Sequence, residues 1–352
     1  MAHDGPVVAD DALAVACRIA DDVLFPAAMK TDAADLLAVS QLDALAAAGF
    51  YGIFGPADQG GLALDFPDVC AVVEELASGC LATAFVWIQH FGLLGSLLGA
   101  DVPAQLRDAW LAPACRGEFR GGIALVGLLP GPPRLTARAV DDGWLLTGTA
   151  PWVSGWGLVD VLLIAARGPD DSIVTVVLDA VDQPGLSIAR QQLIAVHASA
   201  TVRLGFAGVL VPADRLVGQA PDNRPASSGG PALRVNGSLA LGLVRRCCRL
   251  LGASPLDDEL DACRQRLDEA DTETMPGARA AASELALRAA AALAVHDGSQ
   301  SITTDRHAQR LAREALFLLV FGSRPPIRAD LLRRLGAATG TSAGGSPATQ
   351  KL

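Results

Sequence analysis

Apolar residues recur at helical spacing over roughly the first hundred positions and again over the last hundred, while the stretch between alternates in short runs. Ala12 to Phe25 puts Leu13, Ala16, Cys17, Ala20, Val23 and Leu24 at helical spacing, with Pro26 read as the stop. Asp35 to Phe50 predicts a second helix, with Leu36, Leu37, Leu42 and Leu45 on one face and Gly49 near its end. After a glycine-rich loop, Phe54 to Gly61, Asp65 can cap the next helix and Pro67 fits its first turn. Val69, Val72, Val73 and Leu76 then form its apolar stripe. Leu81 to Leu98 predicts one helix buried on nearly all faces, and Pro103 to Leu111 a short one.

From about Gly121 to Gly218 the runs are short and β-rich, separated by Gly, Pro and Asp. Trp144 to Gly148, Val159 to Ala166, Ile173 to Leu178 and Thr201 to Phe206 are the clearest strands, and their spacing predicts a compact barrel or sandwich. Gln219 to Gly230 reads as a linker. Helices return at Leu233 to Leu251, Leu256 to Ala270, Ala278 to Val295, Asp305 to Phe321 and Pro325 to Leu335. Ala337 to Leu352 reads as a disordered tail. The predicted domains are 1–117 helical, 118–218 β and 219–336 helical, followed by the tail 337–352.

Composition narrows the class. Of 352 residues 51% are hydrophobic and 19% charged, which excludes a disordered chain. The most apolar run, Ala82 to Ala100, contains Gln89, His90, Gly92 and Gly95, and therefore reads as a buried helix and not a bilayer span. A formal charge of −10 gives no electrostatic basis for binding nucleic acid. Seven scattered cysteines without a CxxC pair, and no basic leader at the N-terminus, lead us to expect a reducing cytoplasm. The histidines show no metal-ligand spacing.

Several segments in order resemble the acyl-CoA dehydrogenase family. They are Leu42 to Phe54 with Gly60-Gly61, Val72 to Ala77 followed by Ala82-Thr83-Ala84 and His90, and Trp110 to Glu118. Asp142 to Gly148, Trp152-Val153-Ser154, Asp160 and Val209 to Gly218 continue the series. The resemblance covers roughly residues 10 to 335 and implies an α+β multidomain fold: N-terminal helical domain, central β-barrel domain, C-terminal helical bundle. It also implies an FAD cofactor, an acyl-CoA or other acyl thioester as substrate, and a homodimer, tetramer or heteromer with a homologous dehydrogenase. In the family a Trp-Ile-Thr/Ser run lies against the flavin ring. By that resemblance Trp152 would be the apolar wall, with Val153 beside it, and Ser154 the hydrogen-bond donor. Leu125, Gly127 and Gly322 fall where the family has further flavin contacts.

The departures concern chemistry. The family's Thr-Glu-Pro-x-x-Gly-Ser-Asp loop is replaced by Leu125 to Pro133, without hydroxyl or carboxylate, and its Arg-x-x-Phe-Gly element by the acidic Leu256 to Arg264. The family's glutamate, which removes the α-proton of the thioester, is absent from both of its positions, at Pro231 to Arg234 and at Ala337 to Thr339. Other carboxylates are Glu74-Glu75, read as a solvated pair, and Glu284 and Glu314, each with an arginine at helical spacing. His90 reads as a hydrogen-bonded core histidine. His307 with Arg306, Arg310 and Arg313 reads as a solvated basic face, or one that meets a CoA phosphate or a partner's acidic surface. Three functions stay open: a dehydrogenase with another base, a catalytically silent subunit of a heteromer, and a flavin monooxygenase on the same fold.

Overall fold

A computed structural model describes residues 9–129, 131–221 and 230–336. The expected tail and most of the expected linker lie outside these residues. The N-terminal helices are α1 (Ala9–Arg18), α2 (Phe25–Asp32), α3 (Val39–Ala47), α4 (Phe66–Gly79), α5 (Leu81–Trp87), α6 (His90–Leu97) and α7 (Ala104–Cys115). Three boundaries differ from expectation. The second helix starts at Val39 and not at Asp35, which leaves Leu36 exposed outside it. Pro26 does not stop the first helix, because a π-helical turn, Ile19–Leu24, precedes it. The Phe25 amide bonds back to the Ala20 carbonyl, and Pro26 then occupies the first turn of α2, where no amide is needed. The single helix expected from Leu81 to Leu98 is broken at Gln89. Its side-chain amide donates to the Phe85 carbonyl (2.7 Å), so its own amide shortens to Val86 O. Asp65 caps α4 as expected, accepting from the Asp68 amide at 3.0 Å.

The β domain comprises β1 (Gly121–Ala124), β2 (Leu135–Val140), β3 (Gly143–Val153), β4 (Val161–Arg167), β5 (Ile173–Asp179), β6 (Leu186–Arg190), β7 (Val202–Pro212) and β8 (Leu216–Ala220). They form one mixed sheet in the order β6-β7-β3-β2-β4-β5-β8, with β1 parallel to β4. A single pair, Thr136 with Arg167, joins β2 to β4, so the sheet is hinged into two halves around a shared core. The inward rows, including Leu135, Leu146, Leu162, Ile164, Val174, Val176, Leu204 and Val211, are wholly buried.

The C-terminal helices are α8 (Gly230–Leu251), α9 (Pro255–Asp268), α10 (Met275–Asp297), α11 (His307–Val320) and α12 (Pro325–Arg334). One apolar cluster runs continuously from α4 and α5 through α8, α10 and α11, so the two helical regions share a core. α4 and α8 meet at Gly242, where a β-carbon would lie 2.3 Å from the Glu74 carbonyl oxygen. Glycine there is required by close approach of two backbones.

The candidate cofactor site

Trp152 is displayed by a defect in the sheet. β3 and β7 pair in register from Ala150 with Leu204 and resume at Val153 with Val202, so Pro151 and Trp152 together oppose Arg203. A bulge suits Pro151, which has no amide to give the ladder, and it re-aims the next side chain. The Trp152 indole is 65% exposed, whereas Val153 returns to the core at 0%.

The Ser154 hydroxyl is not displayed in this way. It is buried, 2.8 Å from the Thr201 hydroxyl, which is in turn 2.9 Å from that of Ser199. Two contacts among three hydroxyls consume two protons and leave one. Ser154 can donate outward only when Ser199 donates to Thr201 and Thr201 to Ser154. Thr201, Ser199 and Arg203 were not singled out by sequence. The available signal was a pair of hydroxyl residues inside an apolar run.

The segment carrying these hydroxyls is held in an unfavourable conformation. Val196 and Ala200 both adopt left-handed backbone, with φ of 49° and 48°, which costs on the order of 1–3 kcal/mol each. Neighbouring elements enforce it. Gly155 and Trp156 amides donate to Ser199 and Ala200 carbonyls, and the Leu37 amide donates to Ala198 O. The His197 Nδ1 accepts from the Leu193 amide (3.3 Å), so its proton sits on Nε2 and points to Asp35 Oδ1 at 3.1 Å. Gln191 donates to the Pro151 carbonyl on the other flank of the bulge.

The remaining expected contacts lie on other elements. Leu125 opens a tight turn packed beside β4, and a β-carbon at Gly127 would stand 2.5 Å from the Ala165 carbonyl oxygen, so that glycine serves strand packing. Gly322 has φ of 61° and faces Asn236 of α8. Leu256 to Arg264, where the family resemblance places an arginine that reaches a neighbour's flavin pyrophosphate, lies on α9, and its one arginine, Arg264, pairs with Glu74 and Asp261. The residues present therefore fit a flavin ring at Trp152, but this stretch offers no free arginine for a neighbour's flavin phosphates.

The carboxylates are consumed by ion pairs. Contrary to the solvated reading, Glu74 and Glu75 are 1% and 2% exposed. Glu74 accepts from Arg245 (2.7 and 2.9 Å) and Arg264 (2.7 and 3.0 Å), and Glu75 pairs with Arg249 at 2.6 Å. Burial alone would raise the Glu74 pKa, but the Arg264 and Arg245 guanidiniums hold it below the ordinary carboxylate value. Arg245 and Arg249 lie one turn apart on α8, a spacing that could have revealed the partner face. Glu259 and Glu284 share Arg288 at 2.5 and 2.6 Å. Glu314 is buried against Arg310 at 2.7 Å.

The expected basic face around His307 is likewise spent. Arg310 is buried, Arg313 pairs with Asp32, and the His307 ring stacks on Phe25 at 4.3 Å. Burial, with Arg310 nearby, pushes the His307 pKa down to about 4, so the ring is neutral near pH 7. His90 conforms to the core reading, accepting from the Gly121 amide (2.9 Å) and donating to Ala114 O (3.2 Å). Ala232 is exposed in the first turn of α8, and Ala337 lies outside the described residues.

Among the described residues no group of His, Cys, Asp or Glu is arranged for a metal, and no helix is long and apolar enough to cross a membrane. Two shallow concavities are present, about 670 Å³ between α9 and α10 and about 290 Å³ between α7 and the turn after β7. Neither is lined by Trp152 or Ser154, so volume alone does not locate this site.

Comparison with known proteins gives a consistent picture. Residues 10–118 match the family model described as acyl-CoA dehydrogenase, N-terminal domain. The human mitochondrial short-chain specific acyl-CoA dehydrogenase is 28% identical over 213 residues, 58% of this chain and 52% of that protein. The chain thus spans about half the length of that relative. Benzylmalonyl-CoA dehydrogenase of Aromatoleum aromaticum is 29% identical over 241 residues, 65% of this chain and 63% of the relative. The solved butyryl-CoA dehydrogenase of Megasphaera elsdenii superposes with a TM-score of 0.79 at 18% identity, covering 96% of this chain and 99% of that one.

Proposed function

Starting from the fact that this chain belongs to the acyl-CoA dehydrogenase family, we propose that it is a flavoprotein-type subunit that does not itself abstract the α-proton of a thioester. The dehydrogenating glutamate would come from a homologous partner. One observation carries this reading: in the helical domains, the glutamates of α4, α10 and α11 all end on arginine, and the family position on α8 holds Ala232. A carboxylate held down by guanidiniums, as at Glu74, is a poor proton acceptor; Glu314, whose pKa burial raises despite Arg310, is 3% exposed and out of a substrate's reach; and alanine accepts no proton.

At the β-domain edge, Trp152 would cover one face of a flavin ring, and Ser154, supplied through Thr201, would donate one hydrogen bond to it. A bound flavin supplies the hydride acceptor. The phosphate arm would rest on a partner that carries the family's cross-subunit arginine, since this chain's own counterpart, Arg264, is spent on Glu74. Assembly is supported by apolar side chains left in solvent on the C-terminal helices, including Leu316 at 46% and Val320 at 69% exposure.

The test is anaerobic mixing of the FAD-reconstituted chain with a saturated acyl-CoA. Uptake of flavin, weakened by Trp152→Ala, with flavin absorbance unchanged on adding acyl-CoA, is the expected result. Loss of a general base lowers rates by roughly two to four orders of magnitude. Rapid bleaching by the isolated chain would overturn the silent-subunit reading. Failure to take up flavin, even with a glutamate-bearing homologue present, would overturn the site assignment instead.

A further inference from the structure

Most arginines of the helical domains end on a carboxylate: Arg245, Arg249 and Arg264 on Glu74 or Glu75, Arg246 on Asp21, Arg310 on Glu314, and Arg313 on Asp32. In the β domain Arg190 ends on the His197 carbonyl, and three other arginines have no such partner. Arg134, Arg138 and Arg203 are exposed and have no ion-pair or side-chain hydrogen-bond partner among the described residues.

Strand register puts all three on one face. Leu135, Ala137, Leu146, Leu204 and Phe206 point into the core, so the residues between them point out. Across the outer face Thr136 opposes Thr147, Arg138 opposes Leu145, Leu145 opposes Leu210, Thr149 opposes Gly205, and Arg203 opposes Ala189. Arg134 extends β2 by one residue, its carbonyl accepting from the Thr149 amide at 2.7 Å. The result is a field of threonine and small residues, with Leu145 and the exposed Leu210 in line with Arg138, edged by three unpaired guanidiniums. β2, β3, β6 and β7 contain no Asp or Glu at all, in a chain whose formal charge is −10.

With strands about 4.8 Å apart and about 3.4 Å per residue, Arg134 stands roughly 12–14 Å from each of the others, and Arg138 and Arg203 about 20 Å from one another. A single phosphate or carboxylate cannot bridge that span, and small ligands take concave sites, which this face is not. A second copy docking face to face about a two-fold axis would set guanidinium against guanidinium. Three guanidiniums spread over about 20 Å neutralise too few phosphates to hold a nucleic acid.

We propose that the outer face of β2, β3 and β7 docks a partner protein through an acidic surface whose carboxylates are spaced over about 20 Å. The partner recognises Arg134, Arg138 and Arg203 and lies over the threonine field between them. Arg203 lies opposite Trp152 in the β3–β7 bulge, so this face borders the candidate flavin site, while Arg134 and Arg138 lie away from it along β2.

The probe is fluorescently labelled poly-L-glutamate, titrated into the full chain at low salt and at about 0.15 M ionic strength. The face variant is R134E/R138E/R203E. The control, R18E/R266E/R328E, reverses three exposed arginines elsewhere and changes the formal charge equally. Native and control protein should bind alike, less tightly with salt, and the face variant at least about tenfold more weakly. R134Q/R138Q/R203Q, which avoids new repulsion across the sheet, should fall between them, and melting curves establish that each variant is folded.

Equal loss in face and control variants, or no binding by the native chain, overturns the proposal. So does tight inorganic pyrophosphate binding lost in the face variant, which would assign the face to a small anion. Self-association of the native chain that the face variant abolishes in sedimentation would assign it to a second copy, and overturns it as well.

Discussion

Acidification from pH 7 to pH 4 should unlock the junction that His90 makes between α6, α7 and β1. The ring is 0% exposed, accepts from the Gly121 amide on Nδ1 and donates from Nε2 to Ala114 O. Burial pushes its pKa from 6.5 down to about 4, and the Ala114 bond offsets only part of that. A second proton would have no acceptor, since Nδ1 already receives an amide. The folded-state pKa is depressed, so the stabilisation is full above the unfolded value of 6.5 and is lost as pH falls towards 4.

At about 1.36 kcal/mol per pH unit, the full effect is about 3 kcal/mol, a large share of a typical domain's stability. Urea unfolding of native protein and His90→Gln at several pH values between 4.5 and 7 measures it. Glutamine can serve both hydrogen bonds and takes up no proton, so the variant should lose stability less steeply by up to one proton's slope. NMR titration of the His90 ring in the native chain gives a second readout that does not depend on the variant folding. Identical slopes for the two proteins, together with a ring that titrates near 6.5, would refute the reasoning.

Two further outcomes test the helical core. Glu74→Ala removes the buried acceptor that Arg245 and Arg264 share, leaving them Glu75 and Asp261, and should cost about 3 kcal/mol in chemical unfolding, well above the loss from breaking an exposed pair. Gly242→Ala forces a β-carbon to within 2.3 Å of the Glu74 carbonyl oxygen, and should lower stability by about 1–3 kcal/mol or more, seen as a fall in Tm.

The sequence by itself determined what depends on neighbours along the chain. Helical periodicity, alternation in strands, the Asp65 cap and the α, β, α order are local consequences of residue spacing, and they suffice for the fold. Two of the misjudged helix boundaries are also local, but they turn on details that periodicity does not encode: a widened turn before Pro26 and a side-chain amide at Gln89 taking a backbone acceptor. What only the tertiary structure decided is the fate of the polar groups. Glu74 and Glu75 look like a solvated pair on a helix, because the arginines that bury them arrive from 171 and 190 residues away. Trp152 looks like a strand residue until the β3–β7 register shows the bulge that turns it outward. Ser154 looks like a free donor until Thr201, 47 residues on, claims its hydroxyl. An apolar residue needs only a dry side to lie against, which spacing reveals. A charge or hydroxyl needs a particular partner at hydrogen-bond distance, and that partner is chosen by the packing of elements far apart in sequence.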